Sequence, residues 1–261
     1  MQQFEVNIRA LIRRCRRRAL NNVAINSIAV FLHLDVWTSW LFHQYRQRKY
    51  VAGRTLQENV GYSQREDVEE ALRRVYEQLQ AVAEKEVAPG DSILDIGSGT
   101  GLGVKRLAKK WRVTGVDVSK SLTEVAQREN PEARFLVGNF LSADVGSGYA
   151  LAYSITVIEY FPPNRLALFF SKCHDVLRPG GVLFLQYPHA LTALDLWYPD
   201  ISYIKYSPRV IERTARGCFD VLEHHHSFFM DKTVDDYDRD PFPKDSFVNG
   251  YLLIARKRTA P

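Results

Sequence analysis

From residue 92 onward, short apolar runs alternate with segments in which apolar residues recur every three or four positions. The runs predict strands over 92–96, 112–116, 133–137, 149–155 and 182–187. The segments with helical spacing predict helices over 102–110, 121–129 and 164–177. Short, nearly all-apolar strands that alternate with helices imply a parallel sheet covered on both faces. After a helix over 208–215 the rhythm breaks. Strands over 220–230 and 250–257 are joined by a polar loop, 231–245, rich in Asp and Pro, with no helix between them, so this pair is antiparallel. The expected fold class is α/β: a doubly wound, mostly parallel seven-stranded sheet with an antiparallel C-terminal strand.

The pattern before residue 89 is different. Phe4, Ile8, Leu11, Ile12 and Cys15 share one helical face, and arginines fill the other positions, which predicts a basic amphipathic helix over about 4–20. Residues 23–42 are more apolar, but Asn26, Ser27, His33 and Asp35 interrupt them short of the roughly 18 apolar residues a spanning helix needs. Ser63-Gln64-Arg65-Glu66 forms a capping box ahead of Val68, Leu72, Val75, Leu79 and Val82, which predicts a helix over 64–86 ended by Pro89-Gly90. Two regions follow: an N-terminal helical extension over 1–88 and a second region over 89–261. The extension has three readings, a cap on the core, a surface that lies on lipid headgroups, or a contact in a homo-oligomer.

Charge sharpens that division. Residues 1–60 carry ten Lys/Arg against three acids, a balance of +7, so the net +5 of the chain leaves −2 for the rest. An anionic or membrane-surface partner would therefore meet the N-terminal extension. Cys15, Cys173 and Cys218 are far apart and suggest neither a disulfide framework nor a zinc site, which points to a reducing, cytoplasmic setting, with no signal peptide visible. His224-His225-His226 resembles a metal cluster at first sight, but neighbours on a strand face opposite ways, so no metal is expected there.

Candidate chemistry begins at Asp95-Ile96-Gly97-Ser98-Gly99-Thr100-Gly101, where a strand turns at once into a helix. Glycines there allow tight dihedrals and close approach of a ligand. A dinucleotide fingerprint needs a small residue three positions after its second glycine, and Leu102 or Val104 stands there instead. An acid at Asp95, two residues before the first glycine, suits a cationic ligand better than a pyrophosphate. S-adenosyl-L-methionine (SAM) brings both a sulfonium and an ammonium group.

On these residues the chain resembles the class I SAM-dependent methyltransferases. Ile93-Leu94-Asp95-Ile96-Gly97-Ser98-Gly99-Thr100-Gly101 is similar to their first motif. Val113-Thr114-Gly115-Val116-Asp117-Val118-Ser119 is similar to their second strand, with Asp117 20 residues beyond Gly97 as the acid for the ribose hydroxyls. Tyr153-Ser154-Ile155-Thr156-Val157-Ile158-Glu159-Tyr160-Phe161 resembles their fourth strand and its sequel, and Leu177-Arg178-Pro179-Gly180-Gly181 the turn before the fifth. The resemblance implies SAM as cofactor, held by Asp95, Gly97, Ser98, Gly99, Gly101, Asp117, Val118 and Tyr153. Asn139 stands where the family has an adenine-binding Asp, and Phe140 is placed to stack on the base. Tyr62 and Arg54, before the first strand, are implied as contacts to the methionine end.

The acceptor is less defined. A base is needed only where the acceptor loses a proton, and it should lie at the C-terminal rim of the sheet. His189 is the first candidate, with Glu159 and Tyr160 beside it. Residues 190–207 carry Trp197, Tyr198, Tyr203 and Tyr206 and would form an acceptor loop. The expected activity is methyl transfer, mostly to oxygen, of a small-molecule, saccharide or lipid-linked acceptor. Nucleic-acid methylation, which the arginine cluster Arg13 to Arg18 favours, is the runner-up of the same class; the Asn/Asp-Pro-Pro-Tyr/Phe motif of base methylation is absent and argues against nucleic acid as the partner. A non-catalytic scaffold with this fold is the alternative from another class.

Overall fold

The computed structural model describes residues 66–188, 206–226 and 250–259. The helix expected over about 4–20, the apolar stretch 23–42, the greater part of the 190–207 loop and the 231–245 loop lie outside them. Seven strands form one sheet: β1 (Ser92–Ile96), β2 (Arg112–Asp117), β3 (Arg134–Val137), β4 (Tyr149–Ile155), β5 (Leu177–Pro188), β6 (Phe219–His226) and β7 (Gly250–Lys257). Their order across the sheet is β3-β2-β1-β4-β5-β7-β6. The pairs β2–β3, β1–β2, β1–β4 and β4–β5 are parallel, and β7 is antiparallel to both β5 and β6. Only β7 therefore runs against the rest. The expected α/β sheet with an antiparallel C-terminal strand is observed.

Strand period and helix period meet across two packed layers. Val182 and Phe184 of β5 join the layer under α1 (Glu66–Glu86), with Val75, Leu79, Ala83, Ile93 and Leu107. Leu183, Leu185 and Tyr187, the alternate residues, join the opposite layer with Phe169, Phe170 and Cys173 of α4 (Leu166–Val176) and Ile211 and Ala215 of α5 (Pro208–Ala215). Helix α1 thus shares its core with the sheet. β4, at the centre, is buried at all seven positions, which explains why its sequence reads as an unbroken apolar run. The remaining helices are α2 (Leu102–Leu107) and α3 (Lys120–Glu129); Ser119 caps α3 by accepting from the Leu122 amide at 3.4 Å.

Three local expectations change. The turn at Pro179-Gly180-Gly181 is a bulge inside β5, because pairing passes from Tyr149↔Leu177 to Leu151↔Val182, five residues of advance on β5 against two on β4. Pro179 has no N–H for a ladder, and Gly180 takes a φ of 72°. The helix expected over 164–177 begins with a 3-10 turn, Pro163–Arg165, and becomes α-helical only at Leu166. The strand expected over 220–230 is β6, described from Phe219 to His226.

Candidate cofactor and acceptor site

The glycine turn folds over the end of the neighbouring strand. Gly97 and Ser98 both donate their amides to the Val116 carbonyl, at 2.8 and 3.2 Å, and the Gly99 amide donates to Asp117 Oδ2 at 3.0 Å. Asp117 Oδ1 accepts from the Ser119 amide at 2.8 Å. The two motifs are therefore joined into one constellation at the C-terminal ends of β1 and β2. Gly97, Gly99 and Gly101 all have positive φ, at 76°, 51° and 82°. A methyl group added at Gly97 would overlap Val157, and one at Gly101 would come within 2.6 Å of Asn130 Nδ2. One at Gly99 would meet nothing within 4 Å. Gly97 and Gly101 are filled by the protein behind the turn, whereas Gly99 faces open space.

Burial governs the acids. Asp95 is 4% exposed, and desolvation raises its carboxyl to about 7, against the Tyr153 hydroxyl, which favours the anion, and with the Asp117 charge, which adds to the rise. Tyr153 makes no well-directed hydrogen bond through that hydroxyl among the described residues, although it lies beside Asp95 and would be 2.6 Å from a methyl added at Gly103. Ser98 Oγ is likewise buried without a partner. Burial also raises Asp117, opposed by the Ser119 and Gly99 amides. Val118, directly after Asp117, is 71% exposed, and Leu102 at the start of α2 is 46% exposed. Two apolar side chains thus stand open beside this turn.

The end of β3 differs from expectation. Asn139 is exposed and its Oδ1 accepts from the Leu141 amide at 3.0 Å, which fixes the amide orientation with the NH2 group opposite. Phe140 is turned inward, 4% exposed and edge-on to Phe169 at 5.7 Å. It offers no face for stacking a base in this conformation, because the α4 aromatics provide a better-packed place for the ring.

Beyond β4 the chain is strained and then buried. Thr156 has a φ of 55°, uncommon for a β-branched residue, and its amide donates to the Gln186 carbonyl at 3.1 Å, tying the ends of β4 and β5 together. The next turn, Ile158–Tyr160, buries Glu159 to 2% exposure, raises its carboxyl to about 8 through desolvation, and leaves Oε2 without a partner. Tyr160 is half-buried in the same turn. Tyr206, at the end of the expected acceptor loop, donates its hydroxyl to the Phe161 carbonyl at 2.6 Å. On β5, Tyr187 Oη lies 2.6 Å from His224 Nε2, and His224 Nδ1 lies 2.9 Å from Glu212 Oε2. His189, Tyr62 and Arg54 lie outside the described residues.

Comparison with known proteins agrees with this geometry. Residues 93–181, which hold the turn, Asp117 and the whole of β4, match the family described as a methyltransferase domain. Residues 93–181 thus carry a methyltransferase domain. A ubiquinone biosynthesis O-methyltransferase of Mesorhizobium japonicum is 31% identical over 128 residues, 46% of this chain and 51% of that protein. The protein of the same name from Coxiella burnetii is 30% identical over 116 residues, 41% and 48% of the two chains. The chain thus spans about half the length of the curated relatives it matches. In fold it resembles N-methyltransferase NodS of Bradyrhizobium japonicum, solved with S-adenosyl-L-homocysteine (SAH), with a TM-score of 0.61, 14% identity, and 84% and 99% of the two chains covered. The [4+2]-cyclase SpnF is also similar, with a TM-score of 0.54, 19% identity, and 71% and 82% covered.

The residues present fit SAM. A buried carboxyl near 7 gains from a neighbouring cation, Gly99 opens onto free space, and two buried hydroxyls, on Ser98 and Tyr153, have hydrogen-bonding capacity left over. Two supports of the methyltransferase turn escape a sequence reading. Val157 backs Gly97, and Asn130 donates from Nδ2 to the Ala126 carbonyl at 3.0 Å and toward the Gly101 carbonyl at 3.5 Å. The spacing of neither residue signals that role.

Proposed function

We propose that this chain transfers a methyl group from SAM to the oxygen of a small-molecule acceptor, a saccharide, aromatic or lipid-linked hydroxyl. The observation that carries the reading is the bond from the Gly99 amide to Asp117 beside an open cradle. The oxygen specificity takes its support from the relatives named O-methyltransferases. One fold neighbour is named a cyclase, so fold alone does not fix the reaction.

SAM supplies a methyl carbon already activated by sulfonium, so positioning achieves much of the catalysis. Asp117 has lone pairs beyond those its two amide donors use and accepts the ribose hydroxyls. Val118 presents an apolar face to the adenine, and Asn139, with its Oδ1 committed to Leu141, offers its NH2 group to a ring nitrogen. Asp95, Ser98 and Tyr153 serve the methionine end, with Tyr62 and Arg54 as further candidate contacts. Glu159 and Tyr160 follow the end of β4 and, with His189, which comes directly after β5 in the sequence, are the candidates to serve the acceptor oxygen. Residues 1–60, at +7, suit an anionic surface such as lipid headgroups.

Titration calorimetry with SAH tests the cofactor half: Asp117→Ala should weaken binding at least about tenfold, and unchanged binding refutes the assignment. A screen of hydroxyl and amine acceptors with methyl-labelled SAM tests the rest, and label found only on amines rejects O-methylation.

A further inference from the structure

The face of the sheet that packs under α1 is apolar along most of its length, where Ile93, Leu151, Phe184 and Ile254 meet Val75 and Leu79 of the helix. At the end nearest the glycine turn its character changes. Asp95 and Tyr153 are paired neighbours on β1 and β4, so their side chains leave the same face about 5 Å apart. Both are almost wholly buried, and the Tyr153 hydroxyl has no hydrogen-bond partner among the described residues. A buried polar group left open in this way costs stability unless a ligand completes it.

A third oxygen comes from α1. Tyr76 packs against the same layer, and the Arg106 guanidinium stands over its ring, 5.4 Å from the centroid. One turn before Arg106 on α2, a methyl group added at Gly103 would come within 2.6 Å of the Tyr153 hydroxyl. The two phenols therefore lie against successive turns of α2, the helix that the glycine turn opens. Asp95 is near enough to act on both. Burial, first, and then the Asp95 charge push both phenols above their usual range, and Tyr76 adds to the rise at Tyr153. Each phenol thus keeps its proton at neutral pH and offers oxygen lone pairs.

We propose that Tyr76 completes a site for the ammonium group of SAM, whose three N–H donors meet the Asp95 carboxylate and the hydroxyls of Tyr153 and Tyr76. The inference rests on the SAM reading of the glycine turn. Asp95 supplies the opposite charge, and the neutral phenols supply direction. Arg106, exposed on α2, holds the Tyr76 ring by its face and leaves the hydroxyl free for the ligand. The site reads the amino-acid end of the cofactor rather than its nucleoside, because a ligand without the ammonium leaves these buried oxygens unmet.

Titration calorimetry of the full chain with three ligands tests the site. They are SAH, desamino-SAH, in which hydrogen replaces the ammonium group, and 5′-methylthioadenosine, which lacks the amino-acid end. Tyr76→Phe should weaken SAH binding about tenfold, the worth of a hydrogen bond to a charged group. Binding of the other two should change by less than about twofold, which also shows that the variant folds. In an Asp95→Asn background the same substitution should cost SAH less than about threefold, because the charge that strengthened the bond is gone. An equal loss for all three ligands, or none for SAH, overturns the role of Tyr76 and leaves SAM as the cofactor. An unaltered chain that binds no SAH overturns both. Carbon-13 NMR of the tyrosine Cζ atoms reads the unaltered chain directly. SAH should shift the Tyr76 resonance and desamino-SAH should not; a resonance that responds to both alike, or to neither, refutes the proposal.

Discussion

Gly97 and Gly99 stand two residues apart in one turn and are required for different reasons. Both have positive φ, which strains any residue with a Cβ by about 1 kcal/mol or more. At Gly97 a methyl group also collides with Val157, while at Gly99 it enters the free space assigned to the cofactor. Gly97→Ala should therefore lose about 2–4 kcal/mol of unfolding free energy in urea titration, strain and overpacking together. Gly99→Ala should lose only about 1 kcal/mol of stability yet most of its SAH affinity. Equal stability losses in the two variants would show that the turn is not open at Gly99. The glycines were legible in the sequence because they break the helix and strand patterns around them; their separate duties were not, since Val157 is sixty residues away along the chain. Phe140 makes the same point, because an apolar residue after Asn139 reads equally as a stacking face or a core residue, and only α4 decides.

At the scale of the element, strain gathers at the ends of β4 and β5, the side proposed for the acceptor. Thr156 holds a φ of 55° while its amide bonds Gln186, so the strand ladder imposes a backbone that its branched side chain resists. Thr156→Gly should stabilise the fold by roughly 1 kcal/mol, the relief of strain less the entropy cost of glycine. An unchanged or lower urea midpoint would mean that Thr156 is not strained. Strands were readable from the apolar runs because a doubly covered sheet buries both faces of each strand. The bulge at the start of β5 was hidden, since Pro179-Gly180-Gly181 has the composition of a turn whether it ends a strand or interrupts one. His224 was visible only as part of a histidine run. Its partner Glu212 lies on a helix twelve residues earlier, and nothing in either segment's periodicity announces that α5 and β6 meet.

For the molecule as a whole, the buried acids place the function at a cost in stability that pH exposes. Asp95 rises from 3.8 to about 7 and Glu159 from 4.5 to about 8, both through burial. Between the unfolded and folded values the native state keeps protons that the unfolded chain has lost, so stability falls as pH rises through this window. His224 acts in the opposite sense. Its folded value is lowered from 6.5, so the unfolded chain takes up a proton that the native state refuses, and stability falls as pH drops below 6.5. Above pH 6.5 that contribution is flat, and the acids alone set the slope. The unfolding free energy from urea titration should therefore decline from pH 6.5 to 8, by up to about 1.4 kcal/mol per pH unit for each acid still titrating. Asp95→Asn should flatten the part below about pH 7, and Glu159→Gln the part that continues to about pH 8. Saturating SAH should flatten the Asp95 part as well, because in the proposed binding mode its ammonium group lies beside that carboxyl and favours the anion. A profile that is level from pH 6.5 to 8 would show that these carboxyls are hydrated in solution. A slope that SAH leaves untouched would separate Asp95 from the cofactor, leaving the glycine turn and Asp117 to hold it alone.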